Sequence, residues 1–489
     1  PRFHLSPSRD GSRPGSRGDG SRARAASRPG TLYPPGGMRT PSPSSSGSPA
    51  AALGDGWSAP STGVRGGLRL AGFALVLYVF ATAATDAVFI ADAPDYARDA
   101  AAAESTGHVR GLMEFGHPLW RPLGYAFARE AGTVGAVPPR PAPWLQVLSF
   151  LTGVALAAGG IAAAAAAGWL RSRFEAGAAA FGVLWLLGAK AFLNYSQVGS
   201  PYVPGLGFLL AGLFVSMLEP EATGARTARD LSAGLLFGLS ALCWTPFGLV
   251  LPGAVIAPLL LRADRKGWLS RVLVTGLAGV GSLAVAYVVV GLRLGFAESE
   301  SLWTWASRAS GGRSFGGLGR LLIGLPRSFV DLGELGRLAK RYLLADPLCP
   351  TRLRDLLGLD LLKLLAVAAG PLAALAAVSR TAAGQRFALA AAAMAAPLLA
   401  FALLWQGGDL ERYLPATPAL LLLMAAGFQE ARGRRGPRGV MLASLAVMLA
   451  ANAAVLSRPA VRRRQEAALT RLPASPGGPG SRSVFVVPH

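Results

Sequence analysis

Residues 144–168 read WLQVLSFLTGVALAAGGIAAAAAAG and contain no charged side chain. A stretch of about 20 such residues crosses the hydrocarbon core of a bilayer as a helix. Ten further apolar stretches follow the same pattern, at 66–85, 177–193, 202–218, 231–245, 247–261, 272–292, 359–378, 387–405, 414–429 and 439–457. Lipid offers the backbone no hydrogen bonds, so the chain is predicted to be an all-helical integral membrane protein with about eleven spans. The stretch 231–261 reads either as one kinked helix or as two that turn at Thr245-Pro246.

The composition of the whole chain agrees. Of its 489 residues 52% are hydrophobic and 15% charged, and the mean hydropathy is +0.41, which excludes a soluble globular class. The formal net charge of +22, from 48 Lys and Arg against 26 Asp and Glu, does not indicate a nucleic-acid reader. Its excess sits in an Arg-rich tail and between apolar runs. Residues 1–65, rich in Arg, Ser, Gly and Pro, are predicted to be a disordered tail. The membrane domain is expected over 66–457 and a C-terminal tail over 458–489.

Charge also sets the expected orientation. Basic connections hold Arg171 and Arg173; Arg226 and Arg229; Arg262, Arg265, Lys266 and Arg271; Arg380 and Arg386; and Arg432, Arg434, Arg435 and Arg438. Placing them in the cytoplasm puts the N-terminus there too and gives a multi-pass protein of a bacterial inner membrane. The opposite, outer side then carries two long loops, 86–143 and 293–358, and short turns at 194–201, 245–246 and 406–413. Arg462, Arg463 and Arg464 dissent, because eleven spans would leave them outside. The scattered His4, His108, His117 and His489, with Cys243 and Cys349, form no metal-binding spacing.

Candidate chemistry collects on the outer side. The first loop opens TDAVFIADAPDYARDA, with Asp86, Asp92, Asp95 and Asp99 close to the membrane. A helix starting at Pro94 with Asp92 as its N-cap accounts for part of this pattern. A carboxylate at a water-poor surface is also suited to act as general base on an acceptor hydroxyl. Asp92 is nearest the membrane, and Asp95 and Tyr96, one turn on, are expected to share its face. Spacing alone does not separate base from partner. Further along, GHPLWRPLGYAF brings His117 and Arg121 to the interface, where Arg reaches lipid phosphate. Lys190 lies near the outer end of the third apolar run, and the turn after it supplies Asn194, Tyr195, Ser196, Gln197 and Tyr202, hydrogen-bonding groups of the kind a sugar requires. In WQGGDLERYLP, Glu411, Arg412 and Tyr413 accompany Asp409, and Arg412 has the forked donors that match phosphate. The Gly-rich run SRASGGRSFGGLGR at 307–320 lacks the ending of a P-loop and reads as a connector or an amphipathic segment over the site.

Taken in order, Asp92-Ala93-Pro94-Asp95, His117-Pro118, the polar turn Ser196–Tyr202, the paired short helices over 231–261 and Glu411-Arg412-Tyr413 resemble the GT-C superfamily of membrane glycosyltransferases, within it the bacterial protein-O-mannosyltransferase-like families. The resemblance implies transfer of a sugar from a polyprenyl-phosphate donor to an acceptor protein or glycan on the outer face, with inversion. It implies a catalytic role for Asp92 with Asp95 as partner, and Arg412, with Arg121 second, receiving the phosphate. Substrate contacts are then expected from Tyr96, His117, Lys190, Gln197, Tyr202, Glu411 and Tyr413. The sequence departs from many relatives at Ala93, where an acid would be adjacent to Asp92, and at Leu119, where a second Pro would stand. A divalent cation on the acid cluster stays open. The rival readings are an O-antigen polymerase or ligase, and a transporter or flippase. The transporter reading requires ionisable groups at mid-membrane depth or broken helices in matched halves.

Overall fold

The computed structural model describes residues 64–131, 142–218, 223–261, 267–294, 304, 317–343, 350–404 and 409–470. The N-terminal tail up to residue 63, most of the Gly-rich run and the end of the C-terminal tail lie outside the described residues.

Seventeen helices follow one another along the described chain. The first, α1 (Val64–Ala84), leads into α2 (Ala93–Thr106) and α3 (Trp120–Glu130), so the first long loop is itself helical. Then come α4 (Pro143–Arg171), α5 (Ala176–Gly188), α6 (Lys190–Ser196), α7 (Tyr202–Met217), α8 (Thr223–Cys243), α9 (Phe247–Leu261) and α10 (Trp268–Leu294). Two shorter helices occupy the second long loop, α11 (Gly317–Phe329) and α12 (Leu335–Leu343). The chain closes with α13 (Leu359–Val378), α14 (Ala382–Leu404), α15 (Thr417–Glu430), α16 (Arg435–Leu456) and α17 (Arg458–Thr470). A short 3-10 turn, Glu411–Ala416, precedes α15.

Every one of the eleven apolar stretches is helical. Six helices are long and apolar enough to cross a bilayer unaided: most of α1, α4, α10, α13, α14 and α16. Their outward faces are apolar too, with Leu277 70% and Leu372 64% exposed. A water-facing helix would place polar groups there, so these faces suit hydrocarbon. The ambiguous stretch 231–261 resolves into two helices, because α8 ends at Cys243 and α9 starts at Phe247, after Pro246. The third stretch is broken instead of continuous. Helices α5 and α6 meet at a 62° bend, with Ala189 extended between them.

That break leaves backbone groups that a neighbour must satisfy. Asn452 of α16, 2% exposed, does so. Its Nδ2 donates to the carbonyls of Gly188 at 2.7 Å and Phe329 at 2.6 Å, and its Oδ1 accepts the Asp331 amide at 2.8 Å. One amide side chain thus joins the α5–α6 break to the end of α11. Beside it Lys190 and Asp331 form an ion pair with little exposure on either side chain. Burial pushes the Asp331 carboxyl up, but Lys190 overrides it and the net direction is below the ordinary value.

Helices approach closely where glycine allows it. At Gly253 of α9 an added Cβ would run into the Ala393 backbone of α14 and come within 2.6 Å of Met394 Cα. Helices α2 and α3 form a separate apolar cluster on the start of α4, built on Tyr96, Ala100, Trp120, Val147 and Leu151. Trp120 Nε1 donates to the Gly199 carbonyl at 2.9 Å, and the Thr245 amide donates to Gly116 O at 3.0 Å. These bonds fasten the first loop over the turns that precede α7 and α9.

Candidate active site

One cavity of about 570 Å³ opens at the end of the bundle where these turns meet. Its polar lining comes from segments far apart in the chain: Asp92, Glu114 and His117 from the first loop, Tyr202 and Thr245 from the turns, and Asp409, Glu411 and Arg412 from the approach to α15. Phe89, Phe115, Leu249 and Phe401 supply apolar wall. The cavity therefore offers carboxylates, a cation and hydrocarbon together.

Asp92 stands at the N-cap of α2, with Pro94 in the first turn. Its side chain makes no capping hydrogen bond, and Oδ2 instead receives the Tyr96 hydroxyl at 3.4 Å. The helix-start explanation thus accounts for the backbone and not for the carboxylate, which faces the cavity. Asp95 corrects the expectation that the two acids share a face. It is exposed and pairs with Arg98 at 3.1 Å, and it is absent from the cavity lining. Of the two residues one turn on, Tyr96 meets the Asp92 carboxylate, whereas Asp95 is drawn to Arg98 on its own helix.

Glu411 and Arg412 form the facing wall. The Tyr195 hydroxyl donates to Glu411 Oε2 at 2.8 Å. Burial raises the Glu411 carboxyl above its usual range, with Asp409 adding to the effect against Arg412 and Tyr195. Asp409 is raised as well, again mainly by burial. The Arg412 guanidinium lies 5.5 Å from the centre of the Trp244 ring, and its Nε is 3.9 Å from Asp409 Oδ2. An aromatic face and a carboxylate thus flank the cation. Trp244, near the end of the apolar stretch 231–245, carries no mark in the sequence of its place beneath Arg412.

His117 is buried against Tyr96 and Tyr202, and its ring stacks on Trp244 at 6.5 Å. Nδ1 lies 3.3 Å from the Cys243 carbonyl, so the neutral ring carries its proton there. Burial, helped by the Arg121 and Arg412 cations and opposed by that carbonyl, pushes its pKa from 6.5 down to about 3. A His whose folded pKa is depressed binds fewer protons than in the unfolded chain between those two values. Its effect on stability is nil above about pH 6.5 and grows unfavourable as the pH falls. In detergent the parent is expected to lose on the order of 3 kcal/mol more between pH 7 and pH 4 than His117→Asn. Parallel melting curves for the two over that range would contradict this.

Several predicted contacts are occupied elsewhere. Arg121 spends its two terminal nitrogens on Asp99 and Glu114, each at 3.1 Å, and lies over the Tyr96 ring. It braces the first loop and is absent from the cavity lining. Its partner Glu114, which does line the cavity, is raised by burial. Lys190 is held by Asp331. Gln197 donates to Thr85 Oγ1 at 3.0 Å and to the Leu193 carbonyl at 3.1 Å. Tyr413 is buried in the core, its hydroxyl pKa pushed up by that burial. Tyr96 is buried behind Asp92. Of the predicted site residues the structure brings Asp92, His117, Tyr202, Glu411 and Arg412 into one cavity. Among the described residues no three His, Cys, Asp or Glu side chains are placed to hold a metal ion.

No protein-family model matches the chain, and no curated protein sequence matches it. Solved structures are similar to it in fold. ArnT from Cupriavidus metallidurans, bound to undecaprenyl phosphate, shares 15% identity over 82% of this chain and 78% of its own, with a TM-score of 0.45; its apo form gives the same values. The oligosaccharyltransferase of Archaeoglobus fulgidus in the apo form shares 14% identity over 84% of this chain and 58% of its own, with a TM-score of 0.42.

Proposed function

We propose that this protein is a membrane glycosyltransferase that moves a hexose from a polyprenyl-phosphate donor to an acceptor hydroxyl at the outer face of a bacterial inner membrane, its N-terminus in the cytoplasm. One observation carries the reading: a single cavity at one end of an apolar bundle brings Asp92, Glu411 and Arg412 together beside apolar wall. A lipid-linked sugar phosphate presents the complementary set, namely hydroxyls, a phosphate and a hydrocarbon chain.

In this reading Asp92 accepts the proton of the acceptor hydroxyl as its oxygen bonds to the anomeric carbon. The bond from that carbon to the phosphate oxygen breaks on the opposite side, inverting the centre. The phosphate leaves with the electron pair, and Arg412 meets the charge that develops. Glu411, oriented by Tyr195, borders the sugar, and His117 contributes a neutral ring and not a cation. A transporter would carry ionisable groups through the bundle, whereas the titratable lining of this cavity gathers at one end.

The test is consumption of labelled polyprenyl-phosphate-hexoses by membranes containing the protein. Donor loss with a sugar-bearing product of inverted configuration is expected for at least one hexose, mannose first. Export of intact donor without bond cleavage would replace this reading with the transporter.

A further inference from the structure

The segment that carries Asp92 into the cavity is not helical, and its backbone is under strain. Ala91, next to Asp92, has φ 46°. That is the left-handed region, which costs any residue with a Cβ. Such a turn persists only when neighbours impose it. Asn194 of α6, 1% exposed, grips the residues just before that turn. Its Oδ1 accepts the amides of Val88 at 2.9 Å and Phe89 at 3.0 Å, and its Nδ2 donates to the Phe89 carbonyl at 2.6 Å. Both ends of this amide are engaged by three backbone groups of one short segment, so it does not face a sugar as its place in the polar turn suggested.

The next residue holds the opposite wall. Tyr195 donates to Glu411 at 2.8 Å, and its ring meets Phe89 edge-on with centroids 6.3 Å apart. One turn of α6 therefore grips both carboxylate-bearing segments, the one before α2 through Asn194 and the one before α15 through Tyr195. The α5–α6 bend aims that turn, and Asn452 fixes the bend.

The geometry points to Asn194 as a positioning residue for the reaction: by holding residues 88–89 it forces the left-handed turn at Ala91 and sets the Asp92 carboxylate at a fixed distance from Glu411. The inference rests on the transferase reading for its catalytic consequence and on the hydrogen bonds alone for its structural part. No contact between Asn194 and substrate is involved.

The experiment uses the full chain in nanodiscs, with two readouts. The first is hydrogen exchange of the peptide spanning 85–92. The second is turnover of whichever polyprenyl-phosphate-hexose the parent consumes. Asn194→Ala is expected to speed exchange in that peptide at least tenfold while peptides from α13 and α16 stay unchanged. It should lower kcat roughly 10- to 100-fold with the donor KM within about twofold, as expected when geometry and not binding is lost. Asn194→Asp, which keeps the acceptor and loses the donor, should fall between. Adding Ala91→Gly to Asn194→Ala removes the steric cost of the left-handed turn and should restore kcat about fivefold. A merely structural role for Asn194 would give no such rescue.

Unchanged exchange at 85–92 in Asn194→Ala, with the parent active, overturns the positioning role and leaves the transferase reading standing. Faster exchange with kcat intact also overturns it, because Asp92 would then not depend on the turn. A parent that consumes no donor, with exchange responding as expected, keeps the structural hold and defeats the transferase reading.

Discussion

Asp92→Asn is expected to lower donor turnover by about 10²- to 10⁴-fold, the usual worth of a positioned general base, without loosening the fold. The substitution keeps the shape of the side chain and removes its capacity to take a proton. Folding should tolerate it because the Asp92 carboxylate caps no helix and, among the described residues, forms no ion pair; its side chain accepts the Tyr96 hydroxyl at 3.4 Å. Asp95→Asn is the internal comparison, since Asp95 lies outside the cavity in an exposed pair with Arg98. Exposed pairs contribute little, so its turnover should stay within about twofold. Initial rates at saturating donor, compared at equal expression, read both. Equal loss in the two variants would point to a general effect of charge near the membrane; no loss in Asp92→Asn would remove the base from the mechanism.

Arg412→Ala is expected to cost about 10²- to 10³-fold in kcat/KM, the range for a donor aimed at developing charge. The guanidinium stays charged at any working pH and offers parallel donors to phosphate oxygens, which an ammonium cannot copy. Arg412→Lys should therefore recover part of the loss and not all of it. The seat matters as much as the charge. With the cation 5.5 Å from the centre of the Trp244 ring, Trp244→Leu should weaken turnover by a smaller factor, about tenfold or less. If Arg412→Ala raised only the KM for donor and left kcat intact, the residue would serve binding in general, not departure of the phosphate.

Much of the architecture was legible because a bilayer leaves the backbone few choices. The run 144–168 could only be a helix, and Pro246 marked the turn between α8 and α9 correctly. Polar residues beside apolar runs were equally visible, and five of them line one cavity. What spacing could not supply was the partner of each polar group. Arg121 was read as reaching lipid phosphate, yet Asp99 and Glu114 take its donors. Lys190 was read as substrate-facing, yet Asp331, in a distant loop, holds it. The same limit hid Asn194 and Asn452, whose roles depend on carbonyls and amides more than a hundred residues away. The break between α5 and α6 went unread because its sequence, Leu-Gly-Ala-Lys, has no proline to announce it. Asp95 is taken by a nearer partner, Arg98, three residues on along the same helix.

The bond from Asn452 to the Gly188 carbonyl joins positions 264 residues apart. During synthesis the bend is made 264 residues before its clasp emerges. Until then Gly188 holds an orphan carbonyl in a medium without water, and the turn bearing Asn194 and Tyr195 has nothing to fix its aim. Translation order thus delays a competent site until α16 is in place, so a product ended before α16 inherits the earlier anchor helices and not the alignment.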